Sequence, residues 1–283
     1  MKQISILGCG WLGLPLAKKL IEKGFLVNGS TTSEEKISIL ENSGIQPFLI
    51  ALESNTISGN IEKFLAASKT LIIDIPPKLR RNSNDSSPLL RKTFVEKIEN
   101  LIPFIEKSTI ENVLFVSSTS VYGTNNGVVT ETTLAEPETE SGKQLLEAES
   151  LLQNNKSFKT TVLRFGGLIG EDRNPITFLA GRKNLENPDT PINLIHQDDC
   201  IGIILEILRT PEASGQNDKL VWSQTFNAVA PFHPTRKEYY TQKAKELNLA
   251  LPEFEAGKSS NRKIISNSKV ADFLKYTFVK TKL

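Results

Sequence analysis

Cysteine is nearly missing: the 283 residues hold only Cys9 and Cys200, too few for a disulfide framework or a thiolate metal site. Histidine is as scarce, with two, so no ligand set for a metal can be assembled around either, and none is expected. No apolar run approaches the roughly 18 residues of a membrane span, and the N-terminus lacks a basic segment followed by a long apolar one, so neither a membrane helix nor a signal peptide is expected. An excess of one charge is missing too. The balance is 34 basic against 32 acidic side chains, net +2, which argues against a nucleic-acid or acidic-membrane surface. Repeats, low-complexity stretches and Gly/Ser linkers are also absent. What remains is a soluble chain suited to a reducing cytoplasm, with a small-molecule partner expected and a homodimer left open.

The most informative stretch runs from Ile4 to Leu20. Ile4, Ile6 and Leu7 read as a short buried strand, followed at once by Gly8-Cys9-Gly10-Trp11-Leu12-Gly13 and then by a helical pattern in which Leu12, Leu16 and Leu20 share a face. Strand, glycine turn and helix in this order form the dinucleotide-binding arrangement. Gly8 permits the tight turn, Gly10 lets the backbone approach a diphosphate, and Gly13 lets the helix pack close to the strand. Trp11 and Leu12 lie between them at the helix start, whose free N–H groups would carry the phosphates.

A second strand, Phe25 to Val27, ends in Gly29-Ser30-Thr31-Thr32-Ser33, where an acidic residue would hold the ribose of NAD and a basic one would tolerate the phosphate of NADP. The chain offers neither. Hydroxyls of Ser30, Thr31 and Thr32, with Lys36 a turn later, lean toward NADP, so the cofactor expected is NADP or NAD; Thr32 and Glu35 read equally well as a capping box. Pro47 to Ile50 is a third strand and Leu71 to Ile75 a fourth, stopped by Pro76-Pro77. These prolines read either as a rigid wall beside the cofactor ribose, with Pro76 against it, or as a plain brake on the chain. Arg80 to Ser87 reads as a loop near the mouth. Leu89 to Ile105 reads as a long amphipathic helix. A fifth strand, Asn112 to Val116, runs into Ser117-Ser118-Thr119-Ser120-Val121-Tyr122-Gly123, and hydroxyls at that strand end either fall where a nicotinamide or substrate would lie or are local caps of the turn.

Four motifs stand in one order: the glycine turn, the hydroxyl cluster through Tyr122, Leu163-Arg164-Phe165-Gly166-Gly167-Leu168-Ile169-Gly170, and Asn193-Leu194-Ile195-His196-Gln197-Asp198-Asp199. Together they resemble the short-chain dehydrogenase/reductase superfamily, in its extended NAD-dependent epimerase/dehydratase branch and an atypical bacterial subgroup of it. The resemblance implies a doubly wound parallel Rossmann sheet with a small C-terminal α+β substrate lobe, divided as residues 1–170 and 171–283, with elements of the second part returning to the Rossmann domain. It implies a serine that polarises the substrate oxygen, here Ser118, with Ser117 beside the cofactor. It also implies a tyrosine and a lysine on the next helix, and aligning Gly142 and Glu149 puts Ser141 and Leu145 at those two positions. Both groups are missing. Lys143 lies two residues off the tyrosine position, about 200° around a helix. Tyr239 with Lys243 and Tyr276 with Lys280 have the right spacing but fall beyond the sixth strand, outside the motif's context. Tyr122 is the reserve candidate for proton exchange.

Arg173, in the polar loop after the sixth strand, is the candidate anion contact, although a surface ion pair is the simpler reading. His196 is a candidate substrate contact or else a structural histidine, and Asp198 or Asp199 is expected to cap the helix that follows it. The leading expectation is an NAD(P)-binding protein of epimerase/dehydratase type, an oxidoreductase or epimerase acting on a small polar metabolite. The alternative is a non-catalytic dinucleotide-binding regulatory or sensor module. A hydroxyacid dehydrogenase would need an all-helical C-terminal half, which the strand pattern after Trp222 opposes.

Overall fold

A computed structural model describes residues 2–77, 93–124, 127–209, 221–257 and 262–282. In chain order these form β1 (Gln3–Leu7), α1 (Gly13–Glu22), β2 (Leu26–Thr31), α2 (Ile37–Asn42), β3 (Gln46–Leu49), β4 (Ala51–Leu52), β5 (Ile57–Ser58), α3 (Ile61–Leu65), β6 (Thr70–Ile73), α4 (Thr93–Glu106) and β7 (Asn112–Ser118). The chain continues with β8 (Gly127–Val129), α5 (Glu140–Asn154), β9 (Lys159–Phe165), β10 (Gly167–Ile169), β11 (Leu194–His196), α6 (Gln197–Leu208), β12 (Thr225–Ala228), α7 (Arg236–Glu246), β13 (Lys263–Ile265) and α8 (Ser268–Phe273). The loop expected at Arg80 to Ser87 and the start of the helix expected at Leu89 lie outside the described residues.

The seven-stranded sheet has the order β12-β9-β7-β6-β1-β2-β3. Its β1–β2, β2–β3, β1–β6 and β6–β7 pairs are parallel. Bonds from Val162 to Gln224 and from Gly166 to Ala228 advance together along both chains, so β9 and β12 run parallel as well. Continuous apolar runs explain this. Leu71, Ile72 and Ile73, like Val113, Leu114 and Phe115, are fully buried, as strands covered by helices on both faces must be. The chain winds outward from β1 to β3 and then returns to the other side of β1. The switch point therefore falls between β1 and β6, where open α/β sheets bind ligands at the strands' carboxyl ends.

Two compact units form, and they interleave along the sequence. One comprises residues 1–121, 136–163 and 207–225; the other 122–135, 164–206 and 226–283. The chain leaves the first unit after β7, again after most of β9 and again at β12, and each excursion contributes a piece to the second. Within the second unit β10 pairs with β11 and β8 with β13, both parallel. Tyr239 of α7 packs there with Ile169, Ile192 and Leu194, and a capping box between Thr235 and Glu238 starts α7.

Candidate functional site

The glycine turn after β1 is built as its sequence demands. Gly8 sits at φ +108, and a Cβ there would lie 2.3 Å from the Asp74 carbonyl oxygen. A Cβ on Gly13 would lie 2.2 Å from the Gly8 carbonyl oxygen, so α1 can start this close only with glycine. Gly10 differs, because a Cβ there would meet nothing within 4 Å. That is the open approach a diphosphate requires. Leu12 precedes α1 without any side-chain cap, and the Leu16, Ala17 and Leu20 face behind it is buried. The open space at Gly10 fits the diphosphate of a dinucleotide, while at the start of α1 the Asp74 side chain takes the Gly13 N–H and the Gly10 carbonyl takes the Leu14 N–H.

Two neighbouring strands hold the turn. The Gly8 N–H donates to the Ser30 hydroxyl at 2.9 Å, and the Cys9 N–H donates to the Ser30 carbonyl at 2.8 Å. On the other side the Asp74 N–H donates to the Leu7 carbonyl, and the Gly13 N–H bonds the Asp74 side chain. Withdrawal from water pushes the Asp74 carboxyl up to about 8, against the pull of that N–H. Cys9 is buried among these groups, and its thiol is pushed up to about 12 by desolvation and by the negative potential of Asp74.

The expected ribose subsite changes in detail. Ser30 is engaged by Gly8, and Thr31 is buried with its hydroxyl accepting the Ser33 N–H at 3.1 Å. Of that hydroxyl cluster, Thr32 is the exposed member. The capping box expected between Thr32 and Glu35 does not form. Ser33 occupies the N-cap of a short 3-10 turn, Glu34–Lys36, and makes no side-chain cap bond. Pro76 follows the end of β6 and is exposed, next to partly buried Pro77.

The hydroxyl cluster belongs to β7 itself, two residues longer than expected, so Ser117 and Ser118 project to opposite faces. Ser117 is buried and donates to the Glu149 carboxylate of α5 at 2.5 Å. Ser118 is partly buried and accepts the Ser120 N–H at 3.1 Å, leaving its own O–H available to donate. Gly142 brings α5 against the next turn, where a Cβ would lie 2.5 Å from the Ser120 carbonyl oxygen. With that register Leu145 is buried and Lys143 exposed, so an aliphatic side chain occupies the place where the family resemblance expects an ammonium.

In the second unit Tyr122 is 1% exposed. Its hydroxyl accepts from Arg164 Nη1 at 2.7 Å and donates to Asn227 Oδ1 at 3.0 Å. Burial raises its pKa while the Arg164 guanidinium opposes the rise. The Asn227 N–H is held by Glu131 at 2.7 Å, and Lys263 Nζ donates to the Tyr122 and Gly123 carbonyls. Tyr122 is therefore a fixed member of a polar core, not a side chain that swings. Arg173 is exposed on a tight turn closed by reciprocal backbone bonds with Gly170.

His196 Nδ1 accepts the Asp198 N–H at 3.2 Å, so the histidine serves the start of α6. Asp199 caps nothing. Its carboxylate instead takes the Tyr276 hydroxyl and the Val279 and Lys280 N–H groups. Tyr239 is core, and burial raises its pKa and that of Tyr276, so both Tyr–Lys spacings are structural. Among the described residues no group of three or more His, Cys, Asp or Glu side chains could hold a metal, and no helix is long and apolar enough to cross a membrane.

No protein-family model matches the chain. Protein YeeZ of Escherichia coli K12 is 33% identical over 281 residues, which cover 98% of this chain and 96% of that one. The chain belongs to the YeeZ family. A UDP-N-acetyl-D-mannosamine dehydrogenase of Methanococcus maripaludis is 25% identical over 125 residues, 42% of this chain and 29% of that protein. Among solved structures, a UDP-glucuronic acid 4-epimerase from Bacillus cereus in complex with NAD superposes with a TM-score of 0.79 at 18% identity, over 98% of this chain and 94% of that one. The fold of this YeeZ relative is thus the Rossmann fold of the epimerase/dehydratase proteins.

Proposed function

We propose that this protein binds NAD or NADP at the Gly8–Gly13 turn and works as an oxidoreductase or epimerase on a small polar metabolite. The observation that carries the reading is the turn itself: Gly8 and Gly13 are sterically obligatory, while a Cβ at Gly10 would meet open space. A second structure of the Bacillus cereus epimerase holds UDP-glucuronic acid together with NAD, which supports a nucleotide sugar as the first substrate class to test. A bound nicotinamide supplies a site that takes or returns a hydride. Ser118 is the group of this chain that would hold the substrate oxygen, since its O–H can donate while its oxygen accepts from Ser120. Arg173 and His196 remain candidate substrate contacts. Thr32 and Pro76, with Trp11 and Leu12, remain candidate cofactor contacts.

Leu145 favours a second reading. With no ammonium at that position to hold a phenolate, the chain would bind the dinucleotide as a regulatory module without turning it over. One experiment separates the two. Purified protein is titrated with NADH and NADPH by fluorescence, then mixed with a panel of UDP-sugars and small carbonyl compounds while nicotinamide absorbance is followed. Turnover abolished by Ser118→Ala supports the enzyme; saturable binding with no turnover in either protein supports the module; no binding of either dinucleotide rejects both.

A further inference from the structure

Asp74 stands at the end of β6 with its side chain on the Gly13 N–H and its carbonyl oxygen against Gly8. Its Oδ2 would lie 3.2 Å from a Cβ on Gly13, so the carboxyl group touches the glycine turn that the proposed function assigns to the diphosphate. A carboxylate and a diphosphate at one helix start compete for the same few N–H donors and repel each other. We propose that Asp74 joins the cofactor site as a neutral carboxylic acid that donates a hydrogen bond to a diphosphate oxygen, so that binding takes up one proton whenever Asp74 begins ionised. This inference rests on the dinucleotide reading and adds a contact residue to it.

The surroundings support the neutral form. Desolvation holds the carboxyl up to about 8, and among the described residues the Gly13 N–H is what stabilises it as an anion. The titratable groups facing this region among the described residues are few. Cys9 lies on the turn, with a thiol near 12 that stays neutral at ordinary pH. Lys36 reaches Cys9 from beyond β2, and the first turn of α1 carries no acidic residue. Among the described residues no cation contributes to holding Asp74 ionised. The protonated acid keeps one oxygen for the Gly13 N–H and gains an O–H to donate, whereas the anion could only accept.

The test is the dissociation constant of NADH from about pH 7 to about pH 9.5, for the native chain and Asp74→Asn, with calorimetry above pH 8 in two buffers of different ionisation enthalpy. The native chain should hold a constant Kd up to about pH 8 and weaken toward about tenfold per pH unit beyond it. Proton uptake should approach one. Asp74→Asn, which keeps an acceptor and a donor, should bind with a flat profile and no uptake. A flat native profile, no proton uptake, or an unchanged slope in Asp74→Asn overturns the proposal while leaving the dinucleotide reading intact. Should neither NADH nor NADPH bind either protein at any pH, the dinucleotide reading falls and this inference with it. If Asp74→Asn does not fold, the calorimetric proton count on the native chain decides alone.

Discussion

Ser117 and Glu149 form a 2.5 Å hydrogen bond between the end of β7 and the middle of α5, with both side chains buried. Together with the close approach of Gly142 to Ser120, it fixes the register of the helix on the strand. Removing the acceptor leaves a buried hydroxyl without its partner. Glu149→Ala should therefore destabilise the fold by about 1.5–3 kcal/mol, and Glu149→Gln, which can still accept, by less. Urea denaturation checks both. Equal losses for the two variants would show that the contact is packing rather than a hydrogen bond.

Gly13→Ala tests the turn. Its methyl would fall 2.2 Å from the Gly8 carbonyl oxygen, which is backbone and cannot rotate away, so α1 must shift. Dinucleotide affinity should drop by at least about tenfold, alongside a stability loss of roughly 1–3 kcal/mol from overpacking. Gly10→Ala meets no protein atom. It should leave stability nearly unchanged while lowering affinity, because its methyl enters the space reserved for the phosphates. Thermal melts with and without NADH separate the two outcomes.

Tyr122→Phe distinguishes a structural tyrosine from a proton donor. The change deprives Arg164 of an acceptor and Asn227 of a donor, both buried, and Asn227 Nδ2 already lacks a partner. A stability loss of about 1–3 kcal/mol is expected. If turnover is found, kcat measured well below the lowered Tm should be largely retained; loss of activity without loss of stability would return Tyr122 to the chemistry.

Local rules made the strand–turn–helix unit legible, because Gly8 and Gly13 sit where only glycine fits and the Leu16–Leu20 face is buried as its period predicts. The fold class followed from the resemblance that the four motifs carry. What stayed hidden depends on tertiary partners. Ser30 and Thr31 looked like ribose ligands, yet a residue 22 positions away claims the first hydroxyl and the turn's own N–H claims the second. Asp199 looked like a helix cap, but its bonding groups come from Tyr276, Val279 and Lys280, some 80 residues on. Asp74 carried one clue in sequence, an acid closing an apolar central strand, and periodicity cannot say that the strand next to it ends in the glycine turn.

Asp74 also makes stability depend on pH in a direction opposite to that of a salt-bridged aspartate. An unfolded aspartate titrates near 3.9, whereas the folded carboxyl is held up to about 8. Between those values the native state binds a proton that the unfolded chain does not, so unfolding free energy falls as pH rises across that window and levels off above it. Asp74→Asn removes the titration but keeps the acceptor for Gly13. Its Tm relative to the native chain should therefore climb between about pH 5 and about pH 8, by an amount on the order of 5 °C, and stay level beyond. Melting curves of both proteins without cofactor test this, and a Tm difference independent of pH would mean that the folded carboxyl titrates where an ordinary aspartate does.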